Sequence, residues 1–363
     1  MFVSEPSAGY AELERGEPFD VVVASPSLPG ITGGTFLEDV GARHPGVARL
    51  WFADSGTSPS PSPAARALPG TTRVESLYPL LERTLGLHRV VTNPAVTAMM
   101  GQLDSLPALP KSYWSLMKAA NDPTTNVAAL ARIIESDPAM GVKVLQLVNS
   151  AYFGLRRRVT SIAQAVSFLG LELLKGLVLS AHVFSALDAS TVGGFRAEQF
   201  QRYSFRVARL AKSFAGTGEV ADEAFTAGIL HDVGQLALAV KQPDRFSMLL
   251  AQCVETGRPQ LELEEEFFGV GHPEIGAALL AAWGIPFSIV ECVAWHHRPS
   301  AAGGGDMHVL ASVHAASALA GIVTCGDPES SLDVEFLRRL GWGDRIAEWR
   351  AKVEEEAAQW ANE

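Results

Sequence analysis

Strand-forming runs are confined to the first ninety residues of this 363-residue chain, and from there to the end the pattern is helical. That change of texture constrains the fold more than any other feature. It calls for a small α/β unit followed by a large all-α one. Residues 20–24 (DVVVA) form a β-branched run ended by Ser25-Pro26 and the turn-rich LPGITGG, which predicts a buried strand entering a loop. A helix over 35–43 and a second strand over 47–53 follow, an alternation that implies parallel βαβ construction. The Ser/Pro-rich stretch 55–70 reads as a mobile loop, and 77–85 as one closing helix.

Beyond residue 90 the punctuation is that of helix caps. In ESDPAMGVKVLQLVNSAYFG, Asp137 is placed to cap, Pro138 suits the first helical position, and Met140, Val144, Leu147 and Ala151 share a face before Gly154. In SIAQAVSFLG, Ser161 and Gln164 make a capping box and Gly170 ends the helix. Further helices are predicted over 171–187, 196–215, 222–232, 243–256, 273–283, 286–297, 307–322, 333–340 and 344–361, with no fixed-period repeat.

Composition bears on function by exclusion. With 29 Lys+Arg against 40 Asp+Glu the net charge is −11, the wrong sign for a protein held chiefly by nucleic-acid phosphates. Cys253, Cys292 and Cys325 are odd in number and form no CxxC pair, so they encode neither a disulfide framework nor a four-cysteine zinc site. The first residues lack a signal-peptide pattern and no run reaches 18 apolar residues, so the expected place is the cytoplasm, away from a membrane.

Histidines and one aspartate stand at the ends of successive predicted helices: His231-Asp232 after AFTAGIL, His272 placed to cap the helix at Pro273, and His296-His297 closing the helix from Pro286. Imidazoles and a carboxylate converging from helix ends suit a divalent transition metal, which in turn suits phosphoester hydrolysis. The same residues equally suit a metal-free polar network that caps helix ends.

The segments running from LPALPKSYWSLMKAANDPTT to VTSIAQAVSFLG, followed by AGILHDVGQLAL, GHPEIGAALLAAWGIP and VAWHHRPSA, resemble the HDOD domain, a relative of the HD-type metal phosphohydrolases. The resemblance spans 95–325 and implies an all-α fold of two lobes, 95–190 and 191–325, leaving 326–363 as a helical extension. It also implies a non-catalytic signalling module. Active relatives, including the HD-GYP phosphodiesterases, carry a His one helix before the HD pair and a final Asp. This chain has Tyr203 and Ser317 at those places, Gln235 where the phosphodiesterases have Lys, and no GYP signature. Tyr and Ser are weak ligands at neutral pH, so the two-metal arrangement is expected to be broken. What remains is His231, Asp232, His272, His296 and His297, with no cofactor expected beyond a single divalent transition metal at most.

Residues 1–90 resemble the central part of a response-regulator receiver. Ser25 stands where a receiver has its phosphate-accepting Asp, and the first Lys of the chain is Lys111, so acyl-phosphate chemistry is not expected. The receiver's first strand and helix would precede Met1, which implies either a degenerate interaction domain or a start downstream of the true one. An uncovered sheet edge there suits a homodimer. The cluster Arg156-Arg157-Arg158 reads as a solvated loop or as a contact for a phosphate-bearing ligand or partner. The expected function is a cytoplasmic signalling scaffold acting on protein partners. The alternatives are a residual metal-dependent phosphohydrolase and a nucleotide sensor without hydrolysis.

Overall fold

The computed structural model describes residues 1–15, 19–44, 47–53, 65–69, 74–101, 111–120, 124–150, 158–186, 192–305 and 307–360. The first part comprises α1 (Pro6–Glu14), β1 (Val21–Ala24), the short hairpin β2 (Ser27–Leu28) and β3 (Ile31–Thr32), α2 (Gly33–Arg43), β4 (Ala48–Ala53) and β5 (Ala65–Pro69). Its sheet runs β1-β4-β5, parallel throughout, so the βαβ expectation holds. Thr32 starts α2 two residues earlier than 35–43 because its hydroxyl accepts the Thr35 N–H at 3.1 Å. A side chain at Gly33 would place its Cβ 1.9 Å from the Ser25 carbonyl oxygen, which is why the turn needs glycine there.

The expectation of a loop throughout 55–70 is corrected at its end. Residues 65–69 pair with β4 as a strand, and Leu68 is fully buried. Sheet pairing overrides the Pro-rich composition, with Pro69 at the strand terminus, where a missing N–H costs little. The remaining residues, 55–64 and 70, lie outside those described.

Helices then follow to the end. The first set is α3 (Val74–Val91), α4 (Pro94–Gly101), α5 (Lys111–Ala120), α6 (Val127–Glu135), α7 (Pro138–Val148), α8 (Ile162–Leu169) and α9 (Leu171–Ala186). The second is α10 (Ala197–Ala215), α11 (Glu219–Leu230), α12 (Val233–Lys241), α13 (Pro243–Thr256), α14 (Gln260–Phe268), α15 (His272–Ala282), α16 (Phe287–Trp295), α17 (His308–Thr324), α18 (Val334–Arg339) and α19 (Ile346–Trp360). Asp137 caps α7 as its position implies, accepting the Met140 N–H at 3.1 Å. The helix stops six residues short of Gly154, because the Asn149 side chain bonds both the N–H and the carbonyl of Val159 at 2.7 Å and draws the chain away. In the capping box, Ser161 accepts from the Gln164 N–H at 3.2 Å, while the Gln164 side chain accepts from the Thr160 N–H at 2.9 Å, one residue before its usual donor.

Two hydrophobic cores separate along the same boundary as the sequence texture. Ala24, Phe36, Leu37, Val40, Val47 and Trp51 form the small one, and the residues from Leu87 onward form the large one. No helix is long and apolar enough to cross a membrane among the described residues.

The close crossing of α12 and α15 sets up the site. At Gly234 a Cβ would lie 2.0 Å from the His272 carbonyl oxygen and 2.9 Å from the Gly276 nitrogen. Both obstacles are backbone, so relief requires the helices to part. Gly234→Ala is expected to cost about 1–3 kcal/mol in urea unfolding. A cost near zero would mean that the crossing is looser than this.

Candidate metal centre

The ends of α11, α12, α15 and α16 meet around Asp232. The apolar face of α11 is fully buried and delivers His231 and Asp232 at its C-terminus. Proline at the second position of α15 favours the helix start that carries His272, and α16 ends at His296 and His297. The Asp232 Oδ1 lies 3.1 Å from His272 Nε2 and 3.4 Å from His296 Nε2, and its Oδ2 lies 3.2 Å from His231 Nε2. His297 Nε2 is 3.2 Å from His272 Nε2. All five residues singled out in the sequence therefore converge. One ligand atom each from Asp232, His272, His296 and His297 lies within 4.8 Å of the others, and His231 joins through Asp232.

Backbone carbonyls set the imidazole tautomers. His231 Nδ1–H donates to the Gly228 carbonyl at 2.7 Å, and His296 Nδ1–H donates to the Val293 carbonyl at 2.9 Å. In the neutral rings, each Nε2 is then left with a lone pair facing the Asp232 carboxylate. Among the described residues, neither of these buried nitrogens has a hydrogen-bond partner. Orphaned acceptors aimed at a carboxylate are what a cation would satisfy, so the donor set fits one divalent transition ion.

His272 does not cap its helix, as its position suggested. Gly271 takes the cap position, while the His272 N–H and Nδ1–H both donate to Glu264 Oε2, at 2.7 and 2.6 Å. Glu264 is fully buried on α14, and its other oxygen accepts from Gln260 Nε2 at 2.8 Å. Sequence reasoning missed both α14 and this carboxylate. It also missed His314 on α17, whose Nδ1–H donates to the His296 carbonyl at 2.7 Å and whose Nε2 accepts the Asp333 N–H at 2.8 Å.

Charge follows from these contacts. Burial alone would raise Asp232, but the surrounding imidazoles of His231, His272 and His296 hold it well below the ordinary carboxylate value. Burial likewise works against charge on His272, yet Glu264 and Asp232 overcome it and raise this imidazole to about 10. Burial lowers His296 to about 4 despite the opposing pull of the Asp232 carboxylate. His297 reaches the surface, but its ring sits against the cluster. Desolvation and the neighbouring His296 and His272 lower it well below the ordinary value.

The two other ligand positions face each other. Tyr203 on α10 is half-buried, with its ring 6.0 Å from that of His231, and its hydroxyl donates to the Ser317 carbonyl on α17 at 3.2 Å. Gln235 sits in the first turn of α12, its N–H on the Asp232 carbonyl at 2.8 Å. Ser25 is exposed just beyond β1, in the other part of the chain. Arg156 and Arg157 lie outside the described residues, and Arg158 is exposed.

The HDOD domain model matches residues 106–299, more than half of the chain. The chain belongs to the HDOD family. The family's fold recurs in the crystal structure of an HDOD domain protein from Geobacter sulfurreducens, 24% identical, with 72% of this chain and 96% of that one covered at a TM-score of 0.55. A "Putative phosphohydrolase" from Shewanella amazonensis SB2B is 25% identical, with 74% of this chain and 99% of that one covered, also at 0.55. In sequence, an uncharacterized protein of Treponema pallidum (strain Nichols) is 28% identical over 208 residues, which is 57% of this chain and 40% of that protein. The chain thus spans less than half the length of this curated relative. As an HDOD protein it is related to HD metal-dependent phosphohydrolases.

Proposed function

We propose that this HDOD protein is a regulatory, non-catalytic signalling component of the cytoplasm, whose HD-type centre organises helix ends and carries no more than one divalent transition ion. The observation that supports this best is the bond between Tyr203 and Ser317. Both stand where active relatives place metal ligands, and the Tyr203 hydroxyl is engaged by the Ser317 backbone carbonyl. Burial, with the Asp232 charge adding, pushes the Tyr203 phenol well above its ordinary value, so the ionised form that ligates a cation is out of reach near neutrality. Asp232, His272, His296 and His297 would hold the one ion, which when bound supplies Lewis-acid polarisation. Among the described residues no second group of three or more potential ligands is found for the further ion that two-metal hydrolysis requires.

Protein partners are the proposed targets. The N-terminal part, with Ser25 at the receiver's acceptor position, acts independently of phosphorylation. β1 lies at a sheet edge with Val23 exposed, and a second copy pairing there would form a homodimer. A cleft of about 530 Å³ beside His297, lined by Arg298, Ser300, Ser331 and Asp333, favours one further reading, a nucleotide sensor without hydrolysis. Calorimetric titration with cyclic and linear nucleotides separates the two.

Metal stoichiometry tests the proposal. After equilibration with Mn²⁺, Fe²⁺ or Zn²⁺ and desalting, elemental analysis should find at most about one ion per chain, and none with His272→Ala. Two ions per chain would overturn it.

A further inference from the structure

A recess of about 70 Å³ opens between the helical lobes, walled by α5, α9, α11 and the start of α16. Tyr113 is 3% exposed on this wall, and its hydroxyl has no hydrogen-bond partner among the described residues. Across from it stands Glu223, half-buried, with no salt bridge among the described residues. The nearby lysines are engaged elsewhere: Lys175 pairs with Glu172, and Lys212 with Asp222. Glu219 and Asp222 occupy the first turn of α11, where the helix dipole favours acidic groups; Glu223 lies beyond that turn. Burial raises the Glu223 carboxyl, and Glu219 and Glu172 raise it further, with Lys175 only partly offsetting them.

We propose that this recess binds the ammonium head of a small aliphatic amine, with Glu223 taking the charge, the Tyr113 hydroxyl accepting one N–H, and the alkyl part lying on Met117, Leu179 and Ile289. An anion is disfavoured by the carboxylates at the rim. A hard divalent cation is disfavoured because it wants six or more oxygens around it, whereas Met117, Leu179 and Ile289 close one side of this recess. The volume holds several waters at about 10–15 Å³ each, enough for an ammonium group and the first carbons of its chain. This site is independent of the metal centre and of the regulatory reading above.

The experiment is a calorimetric titration of the full chain with butylammonium, using butanol and Mg²⁺ as comparison probes. Saturable amine binding with Kd of about 1 mM or tighter is expected. Glu223→Gln and Tyr113→Phe should each weaken it about tenfold or more. Both changes are close to isosteric, and unfolding midpoints verify that each variant is folded. The proposal is overturned if no saturable amine binding is seen, if butanol or Mg²⁺ binds as well as the amine, or if both folded variants bind like the parent.

Discussion

Glu291→Ala should remove about 3–5 kcal/mol of stability in urea unfolding, the largest loss expected from a single substitution of a charged residue in this chain. Glu291 lies on α16, five residues before His296, and its side chain is 3% exposed; Arg83 on α3 is 11% exposed. Arg83 Nε donates to Glu291 Oε1 at 2.7 Å, and Nη2 donates to the second oxygen, a bidentate pair. Removing the carboxylate leaves a guanidinium in a desolvated site, and that exposed penalty, more than the lost attraction, sets the magnitude. The loop that follows the His pair wraps the same arginine. Gly303 and Gly305 both have positive φ, 95° and 107°, and a Cβ on either would come within 3.4 Å of the Arg83 side chain. Arg83→Ala should therefore cost about as much, and replacing both residues with leucine much less than the sum of the two single changes. Single losses below about 1 kcal/mol would mean that the pair behaves as a solvated surface bridge.

Restoring the two missing ligands should change metal stoichiometry. Tyr203→His together with Ser317→Asp puts an imidazole and a carboxylate on α10 and α17, where the Tyr203 side chain already reaches the Ser317 backbone and lies beside the His231 ring. The double variant is expected to bind about two ions per chain against at most one in the parent, and either single change should leave the count unaltered. The substitution also removes a large half-buried phenol, so unfolding midpoints must accompany the metal analysis. If the folded double variant still holds no second ion, the loss of that half-site does not lie in these two residues.

What the sequence revealed depended on the range of the contacts involved. Asp137, Ser161 and Gly170 act within one helical turn of themselves, so their caps could be read directly. His231, Asp232, His272, His296 and His297 stood out because each lies at a helix boundary, and the family resemblance placed them together. Glu264 and His314 escaped because their roles depend on partners brought close only by folding, His272 across the α14–α15 turn and the His296 carbonyl across two helices. α14 itself, QLELEEEFF, is so acidic that its buried carboxylate looks like one more solvated charge. β5 was hidden for the same kind of reason, since pairing with β4 makes Ala65–Pro69 a strand where composition alone suggests a loop.

The HD-type centre of this protein, as we propose it, no longer hydrolyses phosphoesters. The most direct test of this claim is turnover of a cyclic dinucleotide by the purified full chain with Mn²⁺ or Fe²⁺, beside Asp232→Ala. The two proteins should be indistinguishable from each other and from the metal alone. Hydrolysis by the parent that disappears in folded Asp232→Ala would contradict the claim.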